Sequence, residues 1–186
     1  MMNRQGSGFW NSIPAVTKNL IIINILFWLA SIVLPKTTGI DVTDWLGLHV
    51  PGAHHFNLIQ IVSYMFLHDP SGVTHILFNM FAVWMFGRIL EYEWGGKRFL
   101  IYYLVTGMGA GLVNIMVALI RIHLVERGMD SLAIESVYRE GWSALSQGKN
   151  FIDPSMGQLN LLLNSTTIGA SGAVFGILLA FGIKYP

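Results

Sequence analysis

A serine in the setting Gly169-Ala170-Ser171-Gly172 and a histidine and an asparagine in His75-Ile76-Leu77-Phe78-Asn79 are the residues of this chain that could do chemistry. A serine hydroxyl becomes a nucleophile only with help from a base. An imidazole and an amide four residues apart project from one helix face, about one turn apart. Together they offer an imidazole and an amide at one depth. Each feature also has a plain structural reading. A His/Asn pair inside a membrane helix acts as interhelical glue worth about 0.6–2 kcal/mol. Gly172 and Gly176 form a small-xxx-small pair that lets a neighbouring helix approach. Gly-x-Ser-Gly alone has little specificity and is not the Gly-x-Ser-x-Gly elbow of soluble hydrolases.

The elements that must hold these groups follow from charge spacing. Of 186 residues, 53% are apolar and only 11% are charged, against about 25% charged in a soluble domain. That composition excludes disorder, which needs low hydrophobicity and high net charge. A formal charge of +1 argues against nucleic-acid binding, which needs a basic surface. The absence of cysteine removes disulfides, thiolate metal sites and a Cys nucleophile. No charge occurs between Lys18 and Lys36, Asp69 and Arg88, Arg98 and Arg121, or Asp153 and Lys184. A hydrocarbon core of about 30 Å takes roughly 20 helical residues. These gaps predict four spans near 19–35, 72–90, 99–120 and 167–185, making an all-α polytopic bundle. The first is not a cleaved leader, since Pro35-Lys36 follows the apolar run and no small-x-small cleavage site does.

Lys and Arg counts predict the orientation. The tail 1–18 holds Arg4 and Lys18 with no acid, and the loop 88–98 has three basic residues in eleven. Both are expected in the cytoplasm. The outer segments are 36–71, with one Lys against three Asp, and 121–166, which reads as short amphipathic helices, one near 130–147. Residues 56–68 are apolar enough to dip into the outer leaflet. Ser171 lies thirteen residues before Lys184, about 20 Å of helix. That places it about 10 Å below the outer surface of a core about 30 Å thick. The polar stretch 154–167 must then descend without being a regular helix, which survives only inside protein or beside a wet cavity. A serine at such a helix start has free N–H groups and the positive dipole end beside it.

The ordered set Phe66-Leu67-His68, His75-Ile76-Leu77-Phe78-Asn79-Met80, Gly87-Arg88-Ile89-Leu90-Glu91 with Trp94-Gly95, Gly107-Met108-Gly109-Ala110-Gly111 and Gly169-Ala170-Ser171-Gly172 resembles the rhomboid intramembrane serine proteases over about 60–186. The resemblance implies a rhomboid-like bundle and a Ser–His dyad that cuts transmembrane segments of membrane-protein substrates. It implies Ser171 as nucleophile, with His75, Asn79 and the Ser171 N–H as oxyanion donors. Gly169 and Gly172 support the serine, His68 belongs to the polar cluster at the cavity mouth, and Phe175 takes the place of an aromatic that packs on the catalytic His. It implies no cofactor, no metal and a multi-pass location, expected in a bacterial inner membrane. That catalytic His lies on a sixth span, and the chain stops fifteen residues after Ser171. The fifth and sixth spans are therefore expected to be missing, and the 186-residue chain alone is expected to be inactive. A second departure is Ile59-Gln60 where many members carry Trp-Arg.

Competing readings are a catalytically dead relative that binds transmembrane helices, and a transporter or channel. No span carries a charge near its centre, which disfavours the latter. His54-His55 could suggest a metal, but no carboxylate lies beside them in sequence. Glu91 and Arg88 are expected to pair across a loop or cap helices.

Overall fold

A computed structural model describes residues 12–186; the tail residues 1–11, with Arg4 and Trp10, lie outside the described residues. The fold is all-helical, and among the described residues the β pairing is one antiparallel bridge, Leu48 to Thr167. Helix α1 (Ala15–Thr38) is followed by two short outer helices, α2 (Val42–Leu46) and α3 (Gln60–Ser63). A 3-10 turn over Tyr64–Phe66 leads to α4 (Val73–Ala82). A π-type turn at Val83–Gly87 joins α4 to α5 (Arg88–Trp94), so residues Val73–Trp94 run as one continuous rod. A sharp turn at Gly95, with φ at 78°, starts α6 (Gly96–Glu126). The outer helices α7 (Ser131–Ser146) and α8 (Pro154–Asn164) follow, and α9 (Ser171–Lys184) ends the chain.

Three of these rods, Ala15–Thr38, Val73–Trp94 and Gly96–Glu126, are long and apolar enough to cross a membrane. All three outrun the charge-free gaps, because a helix continues into the headgroup region where charges are tolerated. The expected loop 88–98 is mostly helix, with Gly95 as its only break. The fourth element differs from its expected span of 167–185. Helix starts only at Ser171, and its 14 residues span about 21 Å, short of the core thickness. The preceding 154–167 stretch is not all irregular either, since α8 occupies 154–164 and the extended descent is confined to 165–170.

Close packing of α9 on α6 centres the bundle. A Cβ at Gly172 would land on the Ala110 Cβ, and one at Gly176 would come within 2.7 Å of Thr106. Tyr102 Oη donates to the Gly176 carbonyl at 2.8 Å, and Tyr64 Oη to that of Gly107 at 2.7 Å. Phe99, Tyr103, Leu90 and Ile177 are fully buried around this seam. A second, smaller core of Val50, Ile122, Val137, Leu159 and Leu163 joins α7 and α8 to the outer end of α6.

The helix ends are tied from elsewhere in the chain. Pro14 precedes α1 and offers it no side-chain cap. Instead the buried Glu91 carboxylate accepts from Val16 N at 2.9 Å and Thr17 N at 2.7 Å. At the same end of the bundle, Lys184 and Tyr185 both reach Glu93. Arg88 lies 4.7 Å over the Trp84 ring.

Candidate active site

The serine is placed by the extended segment 165–170. One edge of that segment is held by paired bonds of 2.9 Å between Leu48 and Thr167. Gly169 then turns with φ at +124°, a conformation that carries a strain of order 1–3 kcal/mol for a residue with a Cβ. Its N–H donates to the Tyr64 carbonyl at 2.9 Å. The same glycine lets His75 approach: a Cβ there would meet His75 Cε1 and Nε2 at 3.0 Å and Ser171 Oγ at 3.7 Å. The Ser171 hydroxyl and the His75 ring therefore flank one glycine.

Helix α9 begins at once. Its ladder opens with Val174 N–H to the Ala170 carbonyl at 2.9 Å, which leaves the N–H groups of Ser171, Gly172 and Ala173 outside the ladder. Such groups, with the helix dipole behind them, favour an anion. Ser171, His75, Asn79 and Phe175 line one cavity of about 570 Å³ between α4 and α9. Asn79 is nearly buried and donates one amide hydrogen to the His75 carbonyl at 2.9 Å. That bond fixes its orientation on α4 and leaves a second N–H.

Gly172 does not line the cavity; it faces Ala110 on α6 and sets the depth of α9. His68 is fully buried behind His75, with ring centroids 5.1 Å apart. Burial and the neighbouring His75 push its pKa down to about 4, partly opposed by the Phe66 backbone. At neutral pH His68 is an uncharged wall behind His75.

Sequence reasoning missed Asp69, Thr74, Phe78 and Ala82, which also line the cavity. Thr74, Phe78 and Ala82 share the helix face of His75 and Asn79, so a helical wheel would have found them. Asp69 is exposed, and the Ser71 hydroxyl, joined by the Ser71 N–H at 2.8 Å, holds its carboxylate below the usual range. His54 and His55 do not line this cavity. His54 stacks on Trp142 and His55 on Trp45, with centroids 4.4 and 5.2 Å apart. No carboxylate lies beside them in sequence, but folding brings Asp44 Oδ2 to 2.5 Å from His55 Nδ1. Among the described residues no group of three His, Asp or Glu side chains is arranged to hold a metal.

The Gln60 side chain is fully buried. It accepts from His49 N and Asn57 N at 3.3 Å and donates to the carbonyls of Trp45 at 3.1 Å and His55 at 2.7 Å.

Comparison with known proteins agrees with this architecture. A search of the curated proteins returns no match. The family model described as Rhomboid domain matches residues 55–186, a stretch that runs from the outer loop through the cavity to the end of α9. With its membrane-length helices and that match over most of its length, the chain is an integral membrane protein that belongs to the rhomboid family.

Proposed function

We propose that the protein is an intramembrane serine endopeptidase that cuts transmembrane segments of membrane-protein substrates. The observation that carries this reading is the shared cavity, in which Ser171 opens α9 opposite His75 and Asn79. Ser171 Oγ attacks the scissile carbonyl carbon while a base takes its proton. The negative charge gathers on the carbonyl oxygen, where the Ser171 N–H, His75 and the free Asn79 N–H can donate to it. The C–N bond breaks, the base returns its proton to the leaving amine, and water then hydrolyses the acyl-serine ester. His75 is the one histidine among the described residues that lines the cavity, and it serves the oxyanion. The reading therefore assigns the base to a histidine outside residues 12–186. It also places the 1–18 tail in the cytoplasm of a bacterial inner membrane. No cofactor takes part in these steps.

An alternative is a relative that binds transmembrane helices without cutting them. Fluorophosphonate labelling of the full-length protein in mild detergent separates the two. The peptidase reading expects labelling that Ser171→Ala abolishes. It expects Asn79→Ala to lower turnover of a transmembrane substrate by up to about 10²–10³-fold, the worth of one oxyanion donor, while the protein stays folded. Labelling that survives Ser171→Ala, or no labelling of folded protein, sinks it.

A further inference from the structure

A second cavity, of about 100 Å³, lies toward the outer end of α6, walled by α6, by residues 48–50 and by the end of α8 with the extended segment after it. Its lining is polar and asymmetric. Arg121 is its only charged residue, and it makes no ion pair among the described residues. The other polar groups offer acceptors. Asn114 gives one amide hydrogen to Thr167 Oγ1 at 2.9 Å, leaving its carbonyl oxygen and a second N–H. Ser165 points its hydroxyl hydrogen toward the Leu162 carbonyl at 3.5 Å, leaving its oxygen. His49 is 3% exposed, and its Nε2 must donate to the Asp44 carbonyl at 2.9 Å because that oxygen only accepts. Its Nδ1 is then a bare acceptor, and it is buried without a hydrogen-bond partner. A buried acceptor left unpaired costs about 1–3 kcal/mol.

Depth narrows the ligand. Arg121 follows Arg98 by 23 residues on one helix, a rise of about 34 Å. With Arg98 at one edge of a core about 30 Å thick, Arg121 stands at the headgroups of the other leaflet. Asn114, Val117 and Arg121 are all exposed, so the cavity opens on a helix face that meets lipid. Below Arg121 that helix exposes Leu112, Val113, Met116 and Val117, a surface for an acyl chain. A cation at the mouth and uncharged acceptors within match an anion carrying a compact N–H donor.

We propose that this cavity binds the headgroup of an ethanolamine phospholipid from the leaflet next to α7 and α8. Arg121 takes the phosphate, and the primary ammonium enters among Asn114, Ser165, Thr167 and His49. No residue lines both this cavity and the candidate active site, so the proposal does not depend on proteolysis. The test is native mass spectrometry of the full-length protein in mild detergent. The probe is an equimolar mixture of phosphatidylethanolamine, phosphatidylcholine and phosphatidylglycerol with identical acyl chains. Retention of the ethanolamine lipid about tenfold over both others is expected, with a loss of about tenfold in Arg121→Gln, the order expected for one charge-assisted contact. Val117→Trp, which fills the mouth from an exposed position, should reduce retention likewise. Equal retention of the choline lipid, which lacks N–H donors, would overturn the ammonium assignment. Equal retention of the glycerol lipid would reduce the site to a plain anion site and overturn the proposal. Retention unchanged in both variants would place the lipid elsewhere. Soluble glycerophosphoethanolamine competing as well as the lipid would show that no membrane ligand is selected.

Discussion

Replacing Glu91 by alanine tests whether one helix is started by the side chain of another. The carboxylate accepts from Val16 N at 2.9 Å and Thr17 N at 2.7 Å, and α1 has no cap of its own. Hydrogen bonds to a charged group contribute about 1.5–3 kcal/mol each. The two ends of this pair are not equal. Val16 is partly exposed, so its freed N–H can hydrate and the loss there is at the low end. Thr17 is fully buried, so its N–H would be orphaned at the full cost. Together these give about 3–4 kcal/mol for Glu91→Ala. Glu91→Gln keeps one acceptor oxygen and turns an amide NH₂ toward the other N–H, so about half the loss should remain. The assay is reversible unfolding in mixed micelles with increasing denaturing detergent, read by tryptophan fluorescence and helical circular dichroism. The expected order is native, then Gln, then Ala. An alanine variant within about 0.5 kcal/mol of native would show that water satisfies both amides, and the long-range cap would have no energetic meaning.

Other substitutions probe different links. Gly172→Val forces a side chain onto Ala110 and should cost at least the roughly 1–3 kcal/mol of overpacking, whereas Gly182→Ala, with open space around it, should be neutral or slightly stabilising in the same unfolding assay. The depressed pKa of His68, about 4 against 6.5, means the unfolded chain takes up a proton that the folded chain refuses. Stability should therefore fall as pH drops from 6.5 toward 4, by up to about 3 kcal/mol, and His68→Gln should flatten that slope in unfolding midpoints measured against pH. Reporter fusions at Gly96 and Gly148 should report opposite sides of the membrane, and finding both on one side would remove the orientation read from the basic residues.

The membrane helices were legible because desolvating a charge is costly, so charge-free gaps mark apolar rods. Their ends were not, because the same cost vanishes in the headgroup region. Arg88, Glu91 and Glu93 closed the gap that began after Asp69, yet α5 carries all three as helix. Depth arithmetic and the polar residues before Ser171 put that serine at a helix start, although the expected span opened four residues before α9 does. Helix α8 was hidden by its asparagines. Asp153 caps it by accepting from Ser155 N and Met156 N at 2.9 Å, with Pro154 in the first turn, a local signal that was available. What made its polar face stable was not local: Asn160 donates to the Gly141 carbonyl at 3.1 Å and to Asn150 at 2.9 Å. Partners that far apart in sequence leave no periodic trace.

The placement of Ser171 follows from such non-local ties, and they run through Gln60. This one buried amide uses both its oxygen and its nitrogen on four backbone groups between Trp45 and Asn57. It thereby fixes the loop that carries Leu48. Leu48 pairs with Thr167, and Tyr64, four residues past Gln60, accepts the Gly169 N–H. Two bonds on one side and one on the other leave the five residues 167–171 little freedom before α9 begins. The arginine of the related motif has five donors and no acceptor, so it could bond the carbonyls of Trp45 and His55 but not the N–H groups of His49 and Asn57. Glutamine does both with a neutral side chain, which avoids burying a charge. The outer segment is thus the frame that holds the serine at the depth of His75.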